Sequence, residues 1–205
     1  MTRLVFIRHA AIDGLGQRIA GREPGRALNA EGRSQLERLC AGLQRRAIDG
    51  LYSSPQPRAV ETAEAIGRAL GLDVHIAPEL DEVDFGNWTG KSYAELDRLP
   101  EWRAFNLLHS STRIPNGELL IEVQARVIAL MAALEQRHSG RTVALVSHGD
   151  VIRVALAHQL GIPLDFIMRF EIGPASISVV ELRQGGPRVL CVNHNPFELP
   201  AWVDD

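Results

Sequence analysis

The chain has 205 residues, a formal net charge of −3, 45% hydrophobic residues and 23% charged residues. Nothing in that balance suggests nucleic acid or an anionic membrane surface as a bulk electrostatic partner, and it is the composition of a globular protein with a substantial core. Lys91 is the only lysine among 22 basic residues, so any single arginine is weak evidence of function by itself.

Leu4-Val5-Phe6-Ile7 is a short, unbroken apolar run, the pattern of a strand buried on both faces of a parallel sheet. It ends in Arg8-His9. In open α/β sheets, ligands collect beyond the carboxyl ends of strands, so this dipeptide either addresses a ligand or simply leaves the core. A glycine-rich loop, Ala10 to Ala27, follows with Gly14, Gly16, Gly21, Gly25 and Arg18, Arg22, Arg26. It reads either as a mobile loop rimming an anion or as a somewhat long connection between strand and helix.

Asn29 has the chemistry of an N-cap, with Glu31 in the first turn. Leu36, Leu39, Cys40, Leu43 and Ala47 recur at helical spacing, with Asp49-Gly50 as the stop. Leu51-Tyr52-Ser53 is a second strand. Ser54 then predicts a cap with Pro55 in the first helical position, and Ala59, Val60, Ala63, Ile66 and Leu70 make the buried face. Arg58 falls in the first turn, where a cation opposes the helix dipole. An anion beside it would remove the conflict. Val74-His75-Ile76 is a third strand, on which His75 reads as exposed or locally satisfied.

Residues 78–117 carry Pro78, Pro100, Pro115, Trp88 and Trp102 and read as an insertion over the strand ends. Within it, Glu79, Asp81, Glu82 and Asp84 crowd together. They form either a solvated acidic loop or a setting in which Glu82, between Leu80 and Phe85, turns inward with a raised pKa suited to donating a proton. Asn116-Gly117-Glu118 is expected to start a long helix with Val123, Val127, Leu130, Met131 and Leu134 on one face. Thr142 to Val146 is the clearest buried strand. It ends in Ser147-His148-Gly149-Asp150, and a helix follows at once. Ile177–Leu182 and Val189–Val192, joined through Gln184-Gly185-Gly186-Pro187, read as a hairpin extending the sheet at an edge. The tail from Pro196 reads as irregular.

Arg8, His9, Arg58 and His148 therefore share one address, just beyond strand ends, with Glu82 above them. A metal site of two histidines and a carboxylate would suffer repulsion from two arginines. Phosphoryl transfer suits the set better. A neutral imidazole is a nucleophile, nearby cations keep His9 unprotonated, and Arg8, Arg58 and a cationic His148 clamp the phosphoryl oxygens while Glu82 protonates the leaving oxygen.

These motifs resemble the histidine phosphatase superfamily, also called phosphoglycerate-mutase-like. The resemblance runs from Leu4 to about Asn193. It rests on Arg8-His9, Ser53-Ser54-Pro55 with Arg58-Ala59 and Thr62-Ala63, and Leu80-x-Glu82-x-x-Phe85-Gly86-x-Trp88-x-Gly90. Pro115-x-Gly117-Glu118 and Ser147-His148-Gly149 complete it. It implies an α/β fold, a three-layer helix–sheet–helix sandwich around a mostly parallel sheet, with the helical insertion over the strand C-terminal ends. It also implies His9 as phosphohistidine, Glu82 as proton donor, and Arg8, Arg58 and His148 as the phosphate pocket. Gln17, Arg22 and Gly149 are assigned to substrate binding. Ala10, Ala11 and Leu119 depart from the family's usual glycine, Glu or Gln, and serine. Gln17 stands in for an absent asparagine. These departures bear on substrate choice.

The expectation is a metal-independent phosphomonoester hydrolase acting on a small phosphorylated metabolite, with no cofactor, no nucleic acid and no membrane. The alternatives are a cofactor-dependent phosphoglycerate mutase and a non-catalytic phospholigand-binding regulatory protein. Residues 1–205 are read as a single domain, and a homodimer is left open. No stretch has the layout of a signal peptide and no apolar run reaches membrane-spanning length, so a cytoplasmic setting is expected. Cys40 and Cys191 have no metal-ligand spacing and leave a disulfide open.

Overall fold

A computed structural model describes residues 1–194; the tail read as irregular from Pro196 lies outside them. Alternation along the first strand builds the molecule. In β1 (Thr2–Arg8), Leu4 and Phe6 point to one face of the sheet and Val5 and Ile7 to the other, each into its own apolar cluster. Helices must therefore cover both faces. On the Val5 face lie α1 (Ala30–Leu43) and α2 (Pro57–Leu70), which contribute Leu36, Leu39, Leu43, Ala59, Ala63 and Ile66. The Leu4 face is covered by the insertion, with α3 (Tyr93–Leu96) and α4 (Pro100–Leu107), and by α5 (Leu120–Arg137) and α6 (Gly149–Leu160).

The sheet is completed by β2 (Gly50–Ser53), β3 (Val74–Ile76), β4 (Thr142–Ser147), β5 (Ile177–Leu182) and β6 (Arg188–His194), in the order β3-β2-β4-β1-β5-β6. The pairings β3·β2, β2·β4 and β4·β1 are parallel; β1·β5 and β5·β6 are antiparallel. The expected hairpin thus lies at one edge of a mixed sheet, and His75 is exposed on the opposite edge strand. Cys40 and Cys191 are free. Among the described residues, no helix is long and apolar enough to cross a membrane.

Three helix boundaries differ from the sequence reading. Asn29 caps α1 through Gly32 N–H as expected, but the helix stops at Leu43 and Ala47 is exposed. The chain leaves early because Asp49 must join β4, its N–H donating to Thr142 O and its carboxylate accepting from Thr142 N–H. The second helix starts at Pro57 rather than Pro55, with Gln56 as N-cap. Its buried face includes Arg58, Thr62 and Gly67, while Val60 and Leu70 are only half-buried. The long helix begins at Leu120, because Glu118 turns back to the insertion instead of opening the helix: its carboxylate accepts from Asp84 N–H at 2.8 Å.

That last contact joins two of the motifs. Glu118 N–H donates to Asp84 O at 3.0 Å and Asn87 N–H to Pro115 O at 3.0 Å. The backbones approach so closely that a Cβ on Gly117 would sit 2.2 Å from Asp84 O, and one on Gly86 2.2 Å from Pro115 O. Backbone cannot yield as a flexible side chain can. Gly117→Ala is therefore expected to destabilise the fold by about 1–3 kcal/mol, the usual cost of overpacking, read as a lowered urea midpoint. An unchanged midpoint would mean that the two segments slide apart at no cost.

Candidate active site

Because β1, β4 and β2 run parallel, their carboxyl ends open on one side. The register sets Arg8 beside Ser147 and Ser53 beside Val146. The next residues of each strand, His9, His148 and Ser54, therefore emerge together. His9 N–H donates to Ser147 O and Ser54 N–H to Val146 O, each at 2.9 Å, and the two imidazole centroids lie 5.1 Å apart. Arg58, fully buried in the first turn of α2, reaches the same point.

The tautomer of His9 follows from its partners. Nδ1 lies 2.8 Å from the Ala10 carbonyl oxygen, which can only accept, so Nδ1 carries the proton. Nε2 is left with a lone pair, which accepts from Arg58 Nε at 3.2 Å. The ring is 2% exposed. Burial, then Arg58 and Arg8, hold its pKa well below the ordinary 6.5. His9 is thus neutral and oriented, with an unprotonated Nε2 held against Arg58.

His148, fully buried at the N-cap of α6, bonds through Nε2 to Ser54 Oγ at 2.7 Å. Ser54 Oγ also accepts from Gln56 N–H, so Ser54 does not cap the helix as its position suggested. The hydroxyl proton has one acceptor among the described residues, His148 Nε2, and that leaves the His148 proton on Nδ1. The cationic His148 expected from sequence is corrected: burial, Arg58, His9 and Arg8 keep it neutral. It remains a donor through Nδ1–H.

Three buried nitrogens have no hydrogen-bond partner among the described residues and belong to this cluster: Arg8 Nε, Arg58 Nη1 and His148 Nδ1. Other atoms of the same arginines are anchored to backbone, Arg8 Nη1 on Ile172 O and Arg58 Nη2 on Gly21 O. Fixed, desolvated donors of this kind suit an anion with several oxygens.

The acidic stretch sorts itself by partner. Arg22 ion-pairs with Asp81, Asp84 and Glu118, and Arg126 with Glu118. Arg22 Nε and Arg126 Nη2 both donate to the Glu82 carbonyl oxygen. Held from behind, the Glu82 side chain turns inward and is 9% exposed. Its Oε1 accepts from Val83 N–H at 2.9 Å. Oε2 lies 3.6 Å from His148 Nδ1 and 3.7 Å from Arg58 Nη2. Burial first, and then Asp150, raise its pKa to about 7 against the opposing pull of Arg58. Below about pH 7 it therefore holds its proton.

A cavity of about 370 Å³ opens over the cluster, lined by Arg8, His9, Arg58, Glu82 and Gly149 together with residues of the glycine-rich loop and the insertion. Gly149 packs so closely on Arg8 that a Cβ there would lie 3.3 Å from Arg8 Cζ. Gln17 and Arg22 are not in the lining: Gln17 is exposed, and Arg22 is occupied by carboxylates. The loop is attached to the rest of the fold by bridges Ile12–Leu28 and Arg18–Ser92 and by Arg58 on Gly21 O, and it forms one rim of the cavity. Among the described residues, no group of three or more His, Cys, Asp or Glu side chains is arranged to hold a metal ion.

Sequence reasoning missed Tyr93, Trp102, Phe105, Asn106 and His109 as cavity wall, and Asp150 and Arg153 on α6. The tryptophans clustered in the insertion were a signal, but they did not say which ring would meet the cavity: Trp88 is core and Trp102 is wall.

Residues 4–195 match the model of the histidine phosphatase superfamily (branch 1), and the chain belongs to that family. It is 33% identical over 199 residues to the bifunctional protein Rv2228c of Mycobacterium tuberculosis, covering 96% of this chain and 55% of that one. It therefore spans about half the length of that relative. It is 30% identical over 198 residues to phosphoserine phosphatase 1 of Hydrogenobacter thermophilus, covering 94% and 92% of the two chains. The solved structure of the mycobacterial glucosyl-3-phosphoglycerate phosphatase Rv2419c superposes with a TM-score of 0.85 at 28% identity, over 94% of this chain and 98% of that one.

Proposed function

We propose that this protein hydrolyses small phosphomonoesters through a phosphohistidine on His9. The observation that carries the reading is a neutral imidazole with an unprotonated Nε2, set among three unpartnered buried donors and beside a carboxyl whose pKa is raised to about 7. Nε2 attacks phosphorus as the bond to the alcohol oxygen breaks, and that oxygen takes the Glu82 proton. A water then attacks the phosphohistidine, giving its proton to the Glu82 carboxylate, and the P–N bond breaks to free orthophosphate and restore His9.

Arg8, Arg58 and His148 Nδ1–H stabilise the charge on the non-bridging oxygens, which is the task a divalent ion performs in other phosphoryl-transfer sites. Arg22 serves the reading as the clasp that fixes the Glu82 backbone rather than as a substrate ligand, and Gly149 as the space that admits Arg8. The phosphatase names of two similar proteins are in keeping with hydrolysis.

The test is release of orthophosphate from phosphomonoesters in the presence of EDTA. Turnover is expected to survive EDTA and to be inhibited by vanadate. Arg58→Ala is expected to lower kcat by on the order of 10²-fold or more, the scale of one lost oxyanion donor. Loss of activity in EDTA that zinc or magnesium restores would overturn the metal-free reading. Tight phosphate binding without turnover of any ester would make the protein a binder.

A further inference from the structure

The Glu82 carboxyl can serve a leaving oxygen only where its own backbone places it, and that backbone is held on two sides. Arg22 and Arg126 hold its carbonyl oxygen. On the other side, its N–H donates to Asp81 Oδ1 at 2.8 Å. Asp81 has two further partners. Its Oδ2 lies 3.2 Å from Arg22 Nε, but the Arg22 side chain is partly exposed, and an ion pair of that kind is screened by water and salt. Its Oδ1 accepts from Gln56 Nε2 at 2.7 Å. A carboxylate oxygen only accepts, so the amide nitrogen of Gln56 is the atom that faces it. One oxygen therefore receives both the Glu82 N–H and the Gln56 amide, and the short Gln56 contact is in the range of a charge-assisted bond.

Gln56 is the N-cap of α2, yet glutamine is not a preferred cap and its side chain makes no capping bond to the helix. Its backbone makes the local bonds instead. Its N–H donates to Ser54 Oγ at 3.2 Å, and its carbonyl oxygen accepts from Ala59 and Val60 N–H at 2.9 and 3.0 Å. Ser54 is the residue bonded to His148, and Arg58 lies just beyond Gln56 on the same helix. The buried Gln56 side chain is thus rooted beside the phosphate cluster and crosses to the loop that carries the acid. Ser147 Oγ makes a second strap to that loop, donating to Leu80 O at 2.8 Å. It fixes Leu80 and stops short of the peptide between Asp81 and Glu82. Neither Gln56 nor Asp81 belongs to the cavity lining, so neither is placed to touch a substrate, and any effect on the reaction must pass through Glu82.

Resting on Glu82 as the proton donor, we propose that Gln56 is a positioning residue of the reaction: its amide fixes Asp81 Oδ1, which fixes the Glu82 N–H, so that the carboxyl stays over the phosphate cluster where the leaving oxygen needs it. Without the amide, Asp81 is free to turn both oxygens toward the planar fork of Arg22 and to release the Glu82 N–H. The Glu82 peptide then swings, and a misplacement of about 1 Å can cost a catalytic group on the order of 10²-fold.

The experiment measures kcat for glycerol 2-phosphate and for nitrophenyl phosphate, together with inhibition by vanadate, on the full chain and on Gln56→Leu. Leucine keeps the backbone bonds and the buried position and removes the amide. Gln56→Met, unbranched like glutamine, removes the same donor if leucine disturbs the start of α2. Turnover of the alkyl ester is expected to fall by about tenfold and that of the nitrophenyl ester by less than about twofold, because only the alkoxide needs the proton badly. Vanadate should inhibit as in the parent, since Arg8, Arg58 and His148 keep their own anchors. In the Glu82→Gln background, Gln56→Leu should cost nothing further on the alkyl ester, because the proton that Gln56 positions is already gone. Equal losses on both esters, or a full second loss in the Glu82→Gln background, would make Gln56 a structural residue and overturn the proposal. So would unchanged alkyl ester turnover in both Gln56 variants while Glu82→Gln is impaired, which would leave Arg22 as sufficient to hold Asp81. Glu82→Gln without any loss on the alkyl ester would instead remove Glu82 as the proton donor, the reading on which the proposal rests.

Discussion

His9→Ala is expected to abolish phosphomonoester turnover and, with it, an acid-labile, base-stable phosphoprotein that the parent forms on brief exposure to labelled substrate. The expectation follows from one nitrogen. Nδ1 is committed to the Ala10 carbonyl, so Nε2 alone can attack, and it already lies 3.2 Å from the guanidinium that would hold the phosphoryl group. Burial and the two arginines hold the pKa of His9 well below 6.5, so no general base is needed to free the lone pair. Alanine removes the only covalent acceptor while leaving Arg8, Arg58 and His148 to bind phosphate. The variant should therefore still bind orthophosphate or vanadate, which separates loss of chemistry from loss of fold. Turnover retained in His9→Ala would sink the covalent mechanism, and a phosphoprotein label retained there would move the nucleophile elsewhere.

Glu82→Gln is the second large effect. A general acid matters in proportion to the basicity of the oxygen that leaves. Alkyl phosphate hydrolysis should fall by roughly 10²–10⁴-fold, the usual range for general acid catalysis, and nitrophenyl phosphate hydrolysis far less. The pH dependence follows from the pKa of about 7, raised first by burial and then by Asp150. The proton needed for the leaving group is present below that pH and lost above it, so the parent should show an alkaline fall centred near 7 on alkyl substrates. The acid side should stay flat to well below pH 6.5, because His9 is already neutral there.

Glutamine cannot titrate, so the variant should lose the alkaline fall. The same shift has a stability consequence. The folded protein holds the Glu82 proton up to about 7, whereas the unfolded chain releases it near 4.5. Between those values the folded state binds more protons, so this group increasingly destabilises the fold as pH rises, and the variant should gain on the parent above pH 7. Equal losses on both substrate types would make Glu82 a positioning group. No loss on either would pass the proton to Asp81 or Asp84.

What the sequence determined by itself was the part of the protein written in local pattern. Leu4 to Ile7 and Thr142 to Val146 are apolar runs with a polar terminus, and burial on both faces of a sheet follows from that pattern alone. Once both strands are parallel, Arg8-His9 and Ser147-His148 must open on the same side, and their register brings the imidazoles together. The first turn of α2 likewise set Arg58 toward that point.

The tertiary structure decided what depends on partners far apart in the chain. Glu82 was one of four crowded carboxylates until Arg22 paired with Asp81 and Asp84, and Arg22 and Arg126 held the Glu82 carbonyl from behind and left its side chain facing the histidines. Ser54 looked like a helix cap until the folded chain put His148 Nε2 at 2.7 Å, a pairing across 94 residues that also settles the tautomer of His148 and contradicts its expected charge. Arg22 looked available to a ligand until its ion pairs were formed. His109, in a loop whose sequence carries no periodic signal, became a cavity residue only because Phe105 and the turn after α6 close around it. Local pattern sets which face a side chain presents. It does not set which groups of opposite charge or hydrogen-bonding need will already be occupied when that face is reached. In a buried site, the group left unpaired carries the chemistry.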